Sequence, residues 1–153
     1  MLPTLQFRPA NRSDVTILHD IRVAAIRQLS VTHLSPCDAE DWAGRGGVPR
    51  VEGAIAKDEV WVALLDSAVV GWIHRSDNSI EGLYVSPQAA RQGVGTALVR
   101  LADGRIAQAG ERLVVLESSL NAVGFYVRLG YAPSGNQSPS GAVPMRKYHA
   151  AAA

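Results

Sequence analysis

The sequence predicts an α/β fold: a mixed sheet of about seven strands with a central parallel pair, together with about four helices. The chain opens with a short alternating strand and then helical stretches, and three strands follow one another between residues 60 and 85. The second half alternates strand, helix, strand and helix before two last strands. Because a strand–helix–strand unit places its strands side by side in parallel, we expect the fourth and fifth strands to be neighbours in the sheet.

Length and composition indicate an ordinary globular protein. With 153 residues, 47% of them hydrophobic and 19% charged, the chain is expected to form one domain over residues 1–149, followed by a disordered tail or expression remnant at 150–153. A formal charge of +1 gives no reason to expect bulk binding to nucleic acid, and no apolar run approaches a membrane span. The single Cys37 excludes an intramolecular disulfide and suits a reducing cytoplasm.

The first half of the chain combines one strand with helices. A strand over residues 4–8 alternates apolar and polar positions. Ser13 or Asp14 is expected to cap a helix that ends at residue 28 or 29, and further short helices are expected from residue 35 and over 49–57. The apolar face of the first helix is predicted to comprise Val15, Leu18, Ile21, the stem of Arg22, Ala25 and Leu29.

Strands and turns dominate the chain after residue 60. Asp66-Ser67 is a tight turn between strands over residues 60–65 and 69–74, which are therefore expected to form a hairpin. The remaining predicted elements are, in order, a turn at Asp77-Asn78, a fourth strand ending before Pro87, a long helix, a strand over 113–116, a helix over 121–128 that Gly130 ends, a strand beginning at Tyr131, a loop over 136–141 and a strand over 143–148.

The stretch over residues 79–101 joins a strand to an amphipathic helix through a turn with two glycines. In this turn, Arg91-Gln92-Gly93-Val94-Gly95-Thr96, the glycines leave the backbone accessible, and the helix begins with unpaired N–H groups. The pattern predicts a phosphate-binding loop, although a tight connection that needs small residues would look the same. Only two glycines are present, which excludes a Rossmann-type dinucleotide site. The helix face is expected to comprise Leu98, Leu101, Ala102, Ile106 and Ala109, with Gly110 as the C-terminal cap.

Two segments resemble the GNAT superfamily of acetyl-CoA-dependent N-acetyltransferases. The first is Leu83-Tyr84-Val85-Ser86-Pro87 followed by Arg91-Gln92-Gly93-Val94-Gly95-Thr96-Ala97-Leu98, which is similar to the family's strand and pyrophosphate loop. The second covers residues 118–131 and resembles the family's late helix, with its Asn, its aromatic pair and Leu-Gly-Tyr. The element order resembles the family over nearly the whole chain, so the resemblance implies a GNAT fold.

The resemblance also implies the chemistry. It implies direct attack of a primary amine, on a small molecule, a peptide N-terminus or a lysine, on acetyl-CoA as cosubstrate. Tyr126 is placed like the tyrosine that protonates the departing thiolate in this family, although it would also suit an aromatic anchor of a short helix. Asn121 would contact the pantetheine arm and is equally typical of a helix cap. The expected acetyl-CoA contacts are Leu83, Tyr84, Val85, Arg91, Gln92, Gly93, Val94, Gly95, Thr96 and Asn121.

One position departs from the family pattern. Ala90 occupies the place where the family's loop usually has Gln or Arg, and Arg91 lies one residue later. Because backbone amides make most of the implied contacts, we expect acetyl-CoA binding to survive with reduced affinity, and whether Arg91 replaces the missing side chain stays open. An alternative function is therefore a catalytically weak acyl-CoA-binding sensor or regulatory domain, which the presence of Tyr126 disfavours.

Three residues compete for the role of general base. Strand alternation would place Glu81 on the same side as Leu83 and Val85, unless a bulge near the next residue changes the register. His74 is a rival because an unperturbed histidine has a pKa of about 6.5, which suits proton transfer. Asp77 is first of all a turn former. The sequence leaves the identity of the base open.

The acceptor amine cannot be named from the sequence. In this family the early helices and the late loop usually build the acceptor pocket, for which the candidates are His33, Trp42, Trp61, Trp72, Arg22 and Arg27, although tryptophans are typical of a core. His19, His149 and Cys37 have no partner at metal-ligand spacing, so no metal is expected. We expect no nucleic-acid or membrane partner, and the resemblance makes a homodimer an option that the sequence leaves open.

Overall fold

A computed structural model describes residues 4–29, 47–139 and 141–149. Within these ranges the chain forms seven strands and four α-helices, as the predicted α/β class requires. In chain order they are β1 (Leu5–Pro9), α1 (Val15–Leu29), α2 (Gly47–Lys57), β2 (Glu59–Leu65), β3 (Ala68–Ser76), β4 (Ser79–Val85), α3 (Val94–Gln108), β5 (Leu113–Ser118), α4 (Val123–Arg128), β6 (Ala132–Pro133) and β7 (Val143–Tyr148).

All seven strands form one mixed sheet. Its order is β1-β2-β3-β4-β5-β7-β6, and every neighbouring pair is antiparallel except β4 and β5. The central parallel pair is therefore confirmed, with α3 as the connection between its strands. The predicted hairpin between β2 and β3 is also present, and both turn residues, Asp66 and Ser67, have positive φ angles, as a two-residue hairpin turn requires.

The sheet has a hydrophobic core on each face. Side chains of α1 and α2 pack with alternate positions of β2, β3 and β4, including Trp72 and Tyr84, on one face. Side chains of α3 and α4 pack with the intervening positions, including Ile73 and Ile80, on the other. Because successive strand residues point to opposite faces, one run of apolar strand residues supplies both cores.

The structure corrects two predicted helix details, one at the start of α1 and one at the end of α3. Asn11, and not Ser13 or Asp14, is the N-terminal cap: its side chain accepts from the Ser13 amide at 3.0 Å and precedes a 3₁₀ turn at Arg12–Asp14 that leads into α1. Asp14 completes a capping box by accepting from the Asn11 amide at 2.8 Å. Ala109, the C-terminal cap of α3, is exposed, although its spacing predicts the buried face.

The C-terminal ends of two helices follow the predicted glycines. Gly110 has a φ angle of 88°, and the Glu111 amide donates to the Ile106 carbonyl at 3.2 Å, which closes the last turn of α3. Gly130 has a φ angle of 96° after α4. The start of α4 differs from the prediction, because residue 121 lies in a 3₁₀ turn at Leu120–Ala122 and the α-helix begins two residues later.

Several predictions fall outside the described residues. These are the helix from residue 35, the tail at 150–153, and the side chains of His33, Cys37 and Trp42. Among the helices that the structure describes, none has both the length and the apolar character needed to cross a membrane.

Candidate active site

The parallel strands β4 and β5 separate shortly after they meet. Their residues pair only at Ser79 with Val115 and at Ile80 with Leu116, although β4 continues to Val85 and β5 to Ser118. The carboxyl ends of the two central strands therefore diverge and leave an opening in the sheet, which we call the β4–β5 gap. In open α/β sheets ligands bind at this kind of edge.

A β-bulge lies where the gap begins. Gly82 pairs with His74 and Ile80 pairs with Arg75, so that Glu81 is an extra residue in β4. The bulge reverses the alternation of faces, and for this reason Ile80 shares a core with Leu83. The simple alternation that would place Glu81 beside Leu83 therefore does not extend across it. The Glu81 side chain is exposed and has no hydrogen bond to any described residue.

Residues 91–96, which we call the amide loop, have backbone N–H groups that find no partner among the described residues. The chain passes from β4 through a 3₁₀ turn at Pro87–Ala89, and the first helical hydrogen bond of α3 runs from the Ala97 amide to the Gly93 carbonyl at 3.0 Å. No described carbonyl or side chain accepts from the six amides before Ala97. Unpaired amides at a helix N-terminus attract anions through the N–H groups and the helix dipole.

The two glycines of the amide loop have different roles. Gly93 has a φ angle of 81° and faces open space, so it supplies a backbone conformation that other residues rarely adopt. Gly95 has an ordinary φ, and a Cβ atom there would lie 3.4 Å from Cζ of Phe125 and 3.7 Å from Val85. Gly95 therefore lets the first turn of α3 pack closely against α4 and the end of β4.

Tyr126 of α4 lies in the core on the α3 side of the sheet. Its side chain is only 7% exposed, and its ring contacts those of Phe125 and Tyr131 edge-on, with centroid distances of 5.0 and 5.7 Å. Burial, and to a lesser extent the electrostatic effect of Tyr84, raises the pKa of the Tyr126 phenol above its usual value of 10.0. Because of this raised pKa, the phenol carries a proton at neutral pH. No described residue forms a hydrogen bond with the hydroxyl.

Tyr84 of β4 points to the other face, into the core beneath α1 and α2. Its ring centroid lies 5.0 Å from that of Trp72 and 5.7 Å from Cζ of the fully buried Arg22. A Cβ atom on Gly82 would come within 2.9 Å of the Tyr84 ring, so this glycine leaves the ring room to lie against the strand. Tyr126, on the opposite face, shares its core with Ile80 and Leu116, the last paired residues of β4 and β5 before the β4–β5 gap.

Asn121 and the polar residues of the amide loop lie at the surface. Asn121 does not cap α4, because the cap position is Ala122 and no side chain caps it; the Asn121 Oδ1 atom accepts instead from Ser119 Oγ at 2.7 Å. Arg91 is exposed with a φ angle of 65°, and Gln92 donates to the Gln88 carbonyl at 3.4 Å. Backbone amides, rather than a fixed cationic side chain, are thus the prominent donors of the amide loop.

The two rival bases lie on the side of β4 away from β5 or before its first residue: His74 is in β3 and pairs with Gly82 in the middle of β4, and Asp77 precedes β4. His74 Nε2 is 2.8 Å from Asp58 Oδ2, and this hydrogen bond is the main reason that the pKa of Asp58 is lowered. Asp77 lies in the turn before β4 with a φ angle of 50°. A surface cavity of about 470 Å³ is lined by Pro9, Ala10, Ile55, Lys57, Asp58, Glu59, Val60, Arg75 and Asp77. It is separate from the gap.

The predicted acceptor-pocket residues divide between core and surface. Trp72 is a core residue whose indole donates to the Leu18 carbonyl at 3.0 Å. Trp61 is half-buried and donates to Glu59 at 2.7 Å. Arg22 is buried beside Tyr84, whereas Arg27 is exposed. Among the described residues, no group of three or more His, Cys, Asp or Glu side chains is placed to hold a metal ion.

One buried carboxylate is missing from the predicted site residues. Asp103 in α3 is 6% exposed and accepts hydrogen bonds from Tyr131 and from Lys147. The spacing in the sequence indicates that Asp103 is buried, because it lies four residues after Val99 and three before Ile106, both of them fully buried in the same helix. A carboxylate at helical spacing within an apolar face indicates a specific partner.

Comparison with known proteins identifies the family. The sequence matches the acetyltransferase (GNAT) domain family over residues 39–149. It is 30% identical over 127 residues to the uncharacterized N-acetyltransferase YafP of Escherichia coli (strain K12), and the match covers 83% of this chain and 81% of YafP.

Two solved structures share the fold. The GCN5-related N-acetyltransferase (aminotransferase, class-II) from Rhodopseudomonas palustris superimposes with a TM-score of 0.86 over 97% of both chains, at 24% identity. The PaiA N-acetyltransferase from Thermoplasma acidophilum, solved in complex with coenzyme A, gives a TM-score of 0.82 over 95% of this chain and 99% of its own, at 19% identity. By its sequence match and its fold, this chain belongs to the GNAT acetyltransferase family.

Proposed function

We propose that the protein transfers the acetyl group of acetyl-CoA to a primary amine within a ternary complex. The acceptor class is a small molecule, a peptide N-terminus or a lysine. The observation that carries the proposal is the β4–β5 gap with the unpaired amide loop at its edge. A pyrophosphate is the anion that such amides suit, and a thioester arm could enter where β4 has no strand partner. The coenzyme A complex of PaiA, which has the same fold, supports this choice of donor.

In the proposed complex, the backbone supplies most of the binding. The amides of Arg91, Gln92, Gly93, Val94, Gly95 and Thr96 would hold the pyrophosphate. The free edge of β4 at Leu83, Tyr84 and Val85 would hold the pantetheine arm as an added strand, and Asn121 would contact it from the other side of the gap. Because these donors belong to the main chain, Ala90 weakens this binding without abolishing it.

The proposed reaction has three steps that the chain's own groups assist. The amine nitrogen attacks the thioester carbonyl carbon, and a backbone N–H of residues 83–85 donates to the oxygen on which negative charge develops. The carbon–sulfur bond then breaks, and Tyr126 gives its proton to the departing thiolate. Before the attack, Glu81, at the start of the gap, removes one proton from the incoming ammonium directly or through water. The second proton that the nitrogen loses as the amide forms returns to the Tyr126 phenolate. Among the three candidate bases, Glu81 is the one on a strand that borders the gap, whereas His74 is on β3 and is hydrogen-bonded to Asp58.

A thiol-release assay over a panel of amines tests this function. Acetyl-CoA is supplied with amino acids, polyamines, aminoglycosides and lysine peptides, and the release of free CoA thiol is followed with and without each amine. We expect amine-dependent release with at least one class, and mass spectrometry of the product should show the acetyl group on nitrogen. If acetyl-CoA binds tightly but no amine supports turnover, the enzyme proposal is wrong.

Tight acetyl-CoA binding without turnover would favour the second candidate function, a catalytically weak acyl-CoA-binding sensor. The observation in its favour is Ala90, which is exposed at the start of the amide loop where the resemblance expects Gln or Arg. Tyr126 argues for the enzyme, because it is buried in the core that contains the last paired residues before the gap, and a sensor has no need of a proton donor there.

A further inference from the structure

Three side chains from different parts of the chain, two of them buried and one partly exposed, form a polar cluster. Asp103 belongs to α3, Lys147 to β7, and Tyr131 follows α4. The Tyr131 hydroxyl donates to Asp103 Oδ1, and Lys147 Nζ donates to Asp103 Oδ2 at 3.0 Å. Asp103 and Tyr131 are 6% and 2% exposed, respectively. We call these three residues the Asp103 cluster.

The cluster holds the Tyr131 ring in place from several directions. Lys147 Nζ lies 5.6 Å from the ring centroid, in addition to its bond with Asp103. The lysine stem crosses Gly130, where a Cβ atom would lie 3.3 Å from Lys147 Cε, so the glycine leaves room for this close approach. The pKa of Tyr131 is raised by burial and by its bond to Asp103, and the phenol therefore remains a donor to the carboxylate.

Among the described residues, Tyr131 is one of two whose aromatic rings contact that of Tyr126. The two rings meet edge-on at an interplanar angle of 72°, and the Tyr131 amide donates to the Tyr126 carbonyl at 3.0 Å. The other neighbour, Phe125, is on the same short helix as Tyr126 and moves with it. No described residue holds the Tyr126 hydroxyl by a hydrogen bond, so packing has to set the direction of this phenol. Of the two described rings that contact Tyr126, Tyr131 is the one anchored outside α4.

We propose that Asp103, Lys147 and Tyr131 are positioning residues that hold the phenol of Tyr126 toward the β4–β5 gap. This inference rests on the proposed function, in which Tyr126 is the acid. It gives a reason for a charged pair in a place where an apolar residue would pack without a desolvation cost. A hydrogen-bonded anchor fixes the ring in one place, whereas an apolar contact permits sliding. A displacement of about 1 Å at a reacting group is enough to lower turnover substantially.

Kinetic measurements on the full chain test the role in turnover. Tyr131→Phe removes the hydroxyl and keeps the ring, and Lys147→Met removes the ammonium and keeps the stem. We expect each to lower kcat about 10-fold with the Kd for acetyl-CoA changed less than about 2-fold. Lys147→Arg, which retains a donor to Asp103, should restore most of kcat. Tyr148→Phe on the neighbouring, 64% exposed tyrosine is the matched control and should leave kcat unchanged.

A double-mutant cycle separates positioning from general destabilisation. In a Tyr126→Phe background the residual turnover no longer depends on the phenol, so Tyr131→Phe should lower it no further. If Tyr131→Phe costs the same factor in both backgrounds, the cluster is only structural and the proposal is wrong. All rates are compared well below the thermal midpoint of each variant. If Tyr131→Phe does not fold, Lys147→Met and Lys147→Arg take its place in the cycle.

An NMR measurement decides the positioning independently of activity. In protein labelled with ¹³C-tyrosine, the Tyr126 ring signals are identified by their loss in Tyr126→Phe. We expect Asp103→Asn and Lys147→Met to shift these signals and to accelerate the ring flip, and Lys147→Arg to leave them in place. Unchanged Tyr126 signals would overturn the inference. A wild-type protein that releases no thiol with any amine would contradict the proposed function alone, and the ring signals would still report the positioning.

Discussion

Polar groups near the two ends of β4 differ in whether they have hydrogen-bond partners among the described residues. At the amino end, the Glu59 carboxylate accepts from Arg105 Nε at 2.7 Å, from Arg75 at 2.6 Å and from the Trp61 indole at 2.7 Å. At the carboxyl end, the six amides of residues 91–96 have no acceptor among the described residues. One end of the strand is internally satisfied, and the other is open to a ligand.

This contrast separates stability from function. The hydrogen bond from Arg105, followed in weight by those from Arg75 and Trp61, lowers the pKa of Glu59 to about 2, which means that the folded chain strongly favours the charged carboxylate. Donors that find their acceptors within the chain contribute to folding, whereas exposed donors without acceptors are free to contribute to binding. Variants at the two ends should therefore affect different measurements.

The largest effect is expected from Tyr126→Phe. Loss of a general acid typically lowers turnover about 100-fold, and the affinity for acetyl-CoA should change little because only a proton donor is removed. Steady-state kinetics give kcat, and isothermal titration gives the Kd for acetyl-CoA. The Tyr148→Phe variant again serves as the control, and an unaltered kcat in Tyr126→Phe would remove Tyr126 from the mechanism.

Gly93→Val, beyond the carboxyl end of β4, should weaken mainly the binding of acetyl-CoA. A β-branched residue is strained at a φ angle of 81°, and it would also stand in front of the exposed amides. We expect the Kd for acetyl-CoA to rise about 10-fold or more, as measured by titration. Gly104→Val is the matched control, since Gly104 lies in the same helix with open space around it and no positive φ angle. If Gly93→Val and Tyr126→Phe lost affinity equally, the role given to the tyrosine would be wrong.

Glu59→Gln, near the amino end of β4, should lower mainly the free energy of unfolding. The lowered pKa of Glu59 is a stability contribution that is present above the unfolded value of 4.5 and is lost as the pH falls toward about 2. Allowing for solvent screening of a partly exposed site, we expect the variant to lose about 1 kcal/mol of unfolding free energy at pH 7. Urea titrations between pH 7 and pH 2 should show this difference shrinking, with acetyl-CoA affinity unaltered. The exposed Glu111→Gln is the control, and a difference independent of pH would exclude the carboxylate as its cause.

The smallest effect concerns the pH dependence of turnover. Because the pKa of Tyr126 is raised above 10.0, this phenol keeps its proton throughout the neutral and mildly alkaline range. We therefore expect no fall in kcat from loss of the acid between pH 7 and pH 10, measured with an amine acceptor in excess. A falling limb in this range that is absent from Tyr126→Phe would show that the buried phenol ionises early.

Much of the fold and part of the candidate site could be read from local patterns. The hairpin turn at Asp66-Ser67, the glycine at 110 and the amide loop each depend on the conformational preferences of a few adjacent residues. The N-terminal cap before α1 is harder to predict from the sequence, because Asn11, Ser13 and Asp14 are all good caps and their mutual hydrogen bonds decide among them. The prediction that Ala109 is on the buried face was wrong because the helix ends at Gln108 and Ala109 is its exposed C-terminal cap.

The sequence by itself determined the order of strands and helices, the parallel pair and the glycine-bearing loop, because these follow from periodicity and backbone preference along the chain. Only the tertiary structure decided that β4 bulges at Glu81 and parts from β5, since register depends on strands that are distant in sequence. The same holds for Asp103, whose partners Tyr131 and Lys147 lie 28 and 44 residues away. A buried charge is tolerated only where the fold brings its partners to it.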